Sequence, residues 1–292
     1  NNSITVSSNQ KGGVFYNENG ILNFNNCALD SNSVSNSSNG VLIYSETSNV
    51  DINLYDVSAT GNSGSSLLYF QNGGSFSADL TTIDSNEGHV IQSSSGILSL
   101  DLQEVSISSN TGRAIWGDGD KNLNNVFINN NTSDGVNGLG NVTLSEVNIL
   151  NNGGRGLKEF TGLDAINVTV DGNQGGGLQG YGTVTLDSTY IDNNSTSSSG
   201  GGISLNGSLT ATNSTFNSNS GSSGGGLNIN GSASLTNCQI TSNTASSITF
   251  SGNSSASDST INTAESLPAT TKSSSVDSIS VLEGFITNLL LK

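Results

Sequence analysis

The chain has 292 residues, with seven Lys plus Arg against 23 Asp plus Glu and a net charge of -16. Asn, Gly, Ser and Thr make up more than half of it, and 32% of the residues are apolar, which is too little to fill the wide core of an α/β domain. The negative charge argues against nucleic acid and anionic lipid as partners, and against a polyanionic substrate unless a local site or cation compensates. No apolar run approaches the roughly 20 residues of a membrane span.

An internal repeat runs through the chain, in which an apolar anchor is followed three places later by Asn. Eleven copies occur at spacings of 21 to 30 residues, and a twelfth at Ile261 has Ala264 in place of Asn. Two further apolar positions recur in register, five places before each anchor and four to nine places after each Asn. Three apolar points per repeat, each within a short alternating stretch, predict three short β-strands per turn.

The repeat predicts an all-β, single-domain parallel β-helix (a solenoid) of about 12 coils, spanning residues 1–264. Residues 265–292 carry an i, i+4 apolar pattern and are assigned to a C-terminal capping or docking segment. Asn suits a corner because it tolerates left-handed backbone and its amide can bond to the same amide one coil away. The predicted Asn ladder comprises Asn9, Asn32, Asn62, Asn86, Asn110, Asn131, Asn152, Asn173, Asn194, Asn219 and Asn243.

Two glycine-rich repeats resemble a known family. They read Gly-Gly-Gly-Ile at 200–203 with Phe-Asn-Ser-Asn at 216–219, and Gly-Gly-Gly-Leu at 224–227 with Ile-Thr-Ser-Asn at 240–243. These are similar to the Gly-Gly-aliphatic and Phe-x-x-Asn repeats of polymorphic outer-membrane proteins, and in relaxed form the resemblance covers nearly the whole chain. It implies a right-handed parallel β-helix of the type found in surface-displayed adhesins and autotransporter passengers.

One column of charged residues is the best candidate for chemistry. His89, Arg113, Asp134 and Arg155 stand three places after the corner Asn on four successive coils. The column is interpreted either as an acid, base and substrate-clamping cluster or as a charge ladder in which Asp134 lies between two arginines. The second interpretation is favoured because the longest insertions hold only Ser, Asn, Thr, Val and Gly. We therefore predict no catalytic residue and no cofactor.

One segment with oxygen ligands at alternate positions is a candidate metal site. Asp118, Asp120 and Asn122 are spaced as in the first half of a calcium loop. Leu123 stands where such a loop needs Gly, and Asn129 where it needs Glu. The segment is therefore predicted to be an ordinary turn without a metal site, and weak calcium binding is left open.

An apolar stripe is the candidate binding surface. The residue after the second apolar column should point outward, and in the first five coils it is apolar. Contiguous apolar stripes usually mark contacts, so we predict a protein partner or self-assembly through this surface, with carbohydrate also possible. The alternative is a one-residue bulge that turns the stripe inward, and Trp116 is placed in a core-facing column. The stripe comprises Phe15, Leu42, Leu68, Ile91 and Ile115.

Together these features predict a non-enzymatic protein, extracellular or at the cell surface, with a structural or adhesive display role as a segment of a larger surface protein or fibre. The first alternative is a polysaccharide-cleaving, carbohydrate-active β-helix enzyme. The second is an ice-binding solenoid, which needs a regular Thr ladder. The Thr183 and Thr185 pattern recurs only in part on the next coil, at Thr210 and Thr212.

Overall fold

The computed structural model describes residues 15–33, 41–244 and 248–261. Throughout these residues the chain forms a parallel β-solenoid of about 10 turns, and no helix occurs among them. The predicted all-β solenoid is confirmed, and the predicted 12 coils slightly exceed the described turns. Asn9 and the segment 265–292 lie outside the described residues.

Most coils supply strands to three faces, named A, B and C, and the strands of each face pair in parallel with those of adjacent coils. Face A contains β1 (Phe15–Asn17), β3 (Val41–Ser45), β5 (Ser66–Phe70), β8 (His89–Ser93), β11 (Ile115–Trp116), β14 (Val136–Asn137), β22 (Leu227–Asn230) and β25 (Ile248–Phe250). Face B contains β2 (Gly20–Ala28), β4 (Val50–Thr60), β6 (Gly74–Asp79), β9 (Leu98–Gln103), β12 (Lys121–Asn124), β15 (Asn141–Ser145), β23 (Ala233–Thr236) and β26 (Ser254–Ser257).

The third face is built from strands of two or three residues, and three long strands connect the other two faces. Face C contains β7 (Thr82–Asp84), β10 (Ser106–Ser108), β13 (Phe127–Asn129), β16 (Asn148–Leu150), β18 (Thr169–Asp171), β20 (Tyr190–Asp192), β24 (Gln239–Ile240) and β27 (Thr260–Ile261). The long strands β17 (Arg155–Ile166), β19 (Gly176–Asp187) and β21 (Ile203–Thr212) run from face A into face B. The ends of β2 and β4 extend from face B towards face C.

A ladder of buried amides follows the corner after face C. Asn131 Nδ2 donates to Asn152 Oδ1 at 3.0 Å and to Ile107 O at 3.1 Å. Asn131 Oδ1 accepts from Asn110 Nδ2 at 2.9 Å and from Asn110 N at 3.1 Å. The same side-chain link joins every rung from Asn32 to Asn219, and the backbone N of Asn219 donates to Asn243 Oδ1. These hydrogen bonds confirm the predicted ladder over the described rungs.

The left-handed backbone at this corner belongs to the residue before each ladder Asn, so its assignment to the ladder Asn itself was wrong. Ser109, Asn130 and Asn151 have φ of 56°, 54° and 53°. The ladder side chain then turns into the core, where its amide bonds to the neighbouring rungs. A second left-handed series, which includes Leu80 (φ 50°) and Glu104 (φ 51°), lies at the corner between faces B and C.

The predicted apolar stripe lies inside the coil, so the prediction of an outward binding surface there was wrong. The side chains of Leu42, Leu68, Ile91 and Ile115 are 2% exposed or less, and half-buried Phe15 packs against the same core. The strands show why, because Ile115 pairs with Val136 and Trp116 with Asn137. The sequence pattern aligned Ile115 with Asn137, which is one residue further along the coil than its strand partner Val136.

The buried ladder provides a direct test at Asn131. Asn131→Asp exchanges two N–H donors for a carboxylate that faces Asn152 Oδ1 and Ile107 O. Asn131→Ser loses the same bonds but buries no charge. We expect the Asp variant to lose more than about 3 kcal/mol of unfolding free energy and the Ser variant less. Thermal unfolding followed by circular dichroism at pH 7 measures both, and equal losses would contradict a buried amide ladder.

The corner between faces B and C provides a second test. Leu80 holds a φ of 50° with its side chain 45% exposed. Leu80→Asn should raise the unfolding free energy by about 0.5–1 kcal/mol, because Asn tolerates left-handed backbone better than Leu. The control Leu139→Asn alters a leucine that is 44% exposed and has no positive φ. A gain of similar size in the control would show that polarity, rather than backbone conformation, is responsible.

Candidate functional site

The outward column of face A is one residue further along the chain than predicted. In strand register it reads Tyr16, Tyr44, Tyr69, Gln92, Trp116, Asn137, Lys158 and Gln179. We call this set the outward column. Its tyrosine rings stack, with centroids 5.5 Å apart for Tyr16 and Tyr44 and also for Tyr44 and Tyr69. Trp116 is partly exposed in this column, so its placement among the core residues was wrong.

The predicted charged column comes together beside the outward column. Asp134 Oδ2 accepts from Arg113 Nε at 3.2 Å and from Asn137 Nδ2 at 2.9 Å, and Oδ1 accepts from Arg155 N at 2.8 Å. Asp134 and Arg155 are only 8% and 6% exposed. Since both carboxylate oxygens accept hydrogen bonds from neighbouring residues, Asp134 links three successive coils.

Arg113 links the histidine of the column to Trp116. The backbone N of Arg113 donates to His89 Nδ1 at 3.0 Å, which places the imidazole proton on Nε2. Burial, followed by the charge of Arg113, lowers the pKa of His89 and favours its neutral form. Arg113 Cζ lies 4.4 Å from the centroid of the Trp116 ring, in a cation–π contact, and His89 meets that ring edge-on at 5.1 Å. These contacts hold Trp116 in place.

Two polar groups at this site are buried without a partner. Arg155 Nη2 donates to Ser198 Oγ at 3.1 Å, but Nη1 has no hydrogen bond. A Cβ at Gly176, whose φ is 108°, would lie 2.6 Å from Arg155 Nη1, so glycine makes room for the guanidinium. Asn137 is 3% exposed and its Oδ1 is also unpaired. Burial lowers the pKa of Arg155, although Asp134 opposes that shift.

Positive charge is concentrated on face A. Of the Lys and Arg side chains in residues 15–33, 41–244 and 248–261, Arg113, Arg155 and Lys158 lie on or beside this face, and Lys121 is buried under face B. Lys158 Nζ lies 3.8 Å from Glu159 Oε1, in a partly exposed ion pair. In a chain with a net charge of -16, Arg113 and Lys158 are the partly exposed cations of this face, and each already pairs with one carboxylate.

The predicted half of a calcium loop contacts its neighbouring coils. Asp118 Oδ1 accepts from Leu139 N at 2.8 Å, and Asp120 Oδ1 accepts from Asn141 N at 3.0 Å. Asn122 Nδ2 donates to a carboxylate of the preceding coil at 3.0 Å. Among the described residues, no group of three or more His, Cys, Asp or Glu side chains is placed to hold a metal ion.

A lysine in this segment enters the core. Lys121 occupies an inward position of face B between Leu100 and Val142. Its ammonium donates to three backbone carbonyls, with the shortest distance, 2.8 Å, to Gly119 O. Burial lowers the pKa of Lys121 to about 8, although two neighbouring aspartates oppose the shift.

Face C carries a stacked carboxylate pair that was not singled out from the sequence. Asp171 and Asp192 are strand partners. Asp192 Oδ1 accepts from Asn217 N at 2.7 Å and Oδ2 from Thr215 Oγ1 at 2.9 Å. Burial raises the pKa of Asp192 in spite of these hydrogen bonds. The available signal was an Asp directly after the anchor on two successive coils.

The threonine ladder expected of an ice-binding surface is short. Thr185 pairs with Thr210, which pairs in turn with Ser234. Thr183 pairs with Ser208. Threonine therefore continues across a single coil interval in each of these columns at most.

No protein family, curated protein or solved structure matches this chain. In the part of the chain that the structure describes, no helix is long and apolar enough to cross a membrane. The residues of the three faces are therefore the basis for a functional proposal.

Lys121 should give the protein an unusual alkaline stability profile. Its pKa falls from 10.5 in the unfolded chain to about 8 in the folded one, so between these values the unfolded chain binds the extra proton. Unfolding free energy should therefore rise with pH across that window, by up to roughly 3 kcal/mol from this residue. Lys121→Met should remove the rise and be the more stable protein at pH 7. Urea unfolding at pH 7 to 10 measures the difference, and parallel curves would contradict it.

Proposed function

We propose that this protein is a non-enzymatic, extracellular β-solenoid with a structural or adhesive display role, as a segment of a larger surface protein or fibre. The observation that carries the proposal is the amide ladder, which runs from Asn32 to Asn243 above a continuous apolar core. Such a ladder fixes each coil to the next and makes a stiff rod. A rod of this kind suits the display of a binding face at a distance from its point of attachment.

The bonding of the charged column supports a non-catalytic role. A catalytic acid or base needs a proton-accepting or proton-donating atom within reach of substrate. Both oxygens of Asp134 instead bond to Arg113, Asn137 and Arg155. The cluster therefore has the bonding of a structural tie that also orients neighbouring side chains.

Composition and resemblance support a surface location. The chain is acidic and rich in Asn, Ser, Gly and Thr, and its glycine-rich repeats resemble those of polymorphic outer-membrane proteins. A net charge of -16 also opposes non-specific association between rods. These properties suit a protein exposed in many copies at a cell surface.

One observation favours the alternative of a carbohydrate-active enzyme. Asp171 and Asp192 lie side by side on adjacent strands, and the raised pKa of Asp192 is a property of many general acids. Against this, Asp192 is hydrogen-bonded by Thr215 and Asn217 of the next coil. These hydrogen bonds again link adjacent coils.

Turnover assays separate the two functions. We expect no release of reducing or unsaturated sugar when the full chain is incubated with polygalacturonate, xylan or a mixed-linkage glucan. The matched variant Asp192→Asn should be indistinguishable from wild type in these assays. Sugar release by the wild type that is lost in Asp192→Asn would contradict a display role and assign catalysis to face C.

A further inference from the structure

Three features of face A converge on the outward column. Trp116, Asn137 and Lys158 follow one another on three successive coils, at steps of about 4.8 Å. Arg113 stacks on Trp116 and uses Nε for Asp134, which leaves its two terminal amino groups without a hydrogen bond to another described residue. The three stacked tyrosines extend the same column towards the N-terminal coils.

The unpaired buried atoms lie beside the same positions. Asn137 Oδ1 is an acceptor without a donor, and Arg155 Nη1 is a donor without an acceptor. An unpaired buried polar group typically costs about 1–3 kcal/mol. Both atoms are enclosed by protein, so a ligand laid along the outer surface of the column does not contact them.

We propose that the outward column of face A binds an acidic polysaccharide whose sugars carry carboxylates, such as a polyuronate. Arg113 and Lys158 pair with the carboxylates, Gln92 and Gln179 bond the hydroxyl groups, and the aromatic side chains contact the apolar faces of the sugar rings. The step between coils is comparable to the length of one sugar unit, so a glycan laid along the rod meets a new side chain at each sugar. This inference rests on the proposed adhesive role and names its ligand.

Charge density distinguishes this ligand from a nucleic acid. Double-stranded DNA carries one charge per about 1.7 Å of axis, which requires many more cations than Arg113, Arg155 and Lys158 provide. A polyuronate has about one charge per sugar, which matches a sparse row of cations spaced by coils. Aromatic and amide side chains between those cations suit sugar rings rather than bare phosphates.

The experiment titrates polygalacturonate into the full chain by calorimetry at low salt, with dextran as the neutral polymer. We expect binding of polygalacturonate that weakens as salt increases, and none of dextran. Trp116→Ala should weaken binding about tenfold and Lys158→Gln about threefold. The matched control Tyr190→Ala removes an aromatic ring that is 49% exposed on face C and should bind as wild type does.

Three outcomes would overturn the inference. Absence of polygalacturonate binding, or equal losses in Trp116→Ala and Tyr190→Ala, would remove face A as the site. Equal binding of poly-glutamate would show charge attraction without sugar recognition. Thermal unfolding checks that each variant is folded, and Lys158→Gln, at a partly exposed ion pair, tests the site if Trp116→Ala does not fold. Binding accompanied by cleavage would refute the display role alone, whereas neither binding nor cleavage would refute this inference alone.

Discussion

The hydrogen bond between stacked asparagine side chains is the interaction on which the rest of the molecule depends. Each amide from Asn86 to Asn194 donates to the next rung and to a backbone carbonyl while it accepts from the rung before, as at Asn131. Such a chain tolerates no slip of register, because a displaced amide would be buried without partners. The ladder thereby sets the height of every coil, and the residues on faces A, B and C align because of it.

The fold could be predicted from the sequence because the ladder leaves a direct trace in it. A buried Asn at a fixed distance from an apolar anchor can be recognised without knowing the loop lengths, because the strand and the corner on face C have constant length. Face A follows a corner of variable length, and there the prediction failed. In the shortest coils the register of face A can be counted from the ladder Asn, because Ile115 and Val136 both stand five places after it. Aligning Ala114 with Val136 instead moved a whole column to the wrong side of the sheet.

The candidate site could be predicted in part. One charge on each of four successive coils placed His89, Arg113, Asp134 and Arg155 in a common column, and the structure brings them together. Their partners depend on side-chain direction, which sequence spacing does not encode. The contact of Arg113 with Trp116 and the bond from Asn137 to Asp134 both cross from one column to another. For the same reason the unpaired atoms of Asn137 and Arg155 could be found only in three dimensions.

The amide ladder also gives the rod a direction. Every side-chain link donates from the lower-numbered Asn to the higher-numbered one, so the amide dipoles add head to tail along the axis. Among the described rungs the series begins at Asn32, whose Oδ1 is buried and unpaired. A coil stacked on that side completes the ladder only if it offers an N–H donor, and the predicted rung Asn9 has the amide to do so. The two ends of the described ladder are therefore chemically unlike, and the ladder gives the rod a polarity along its axis.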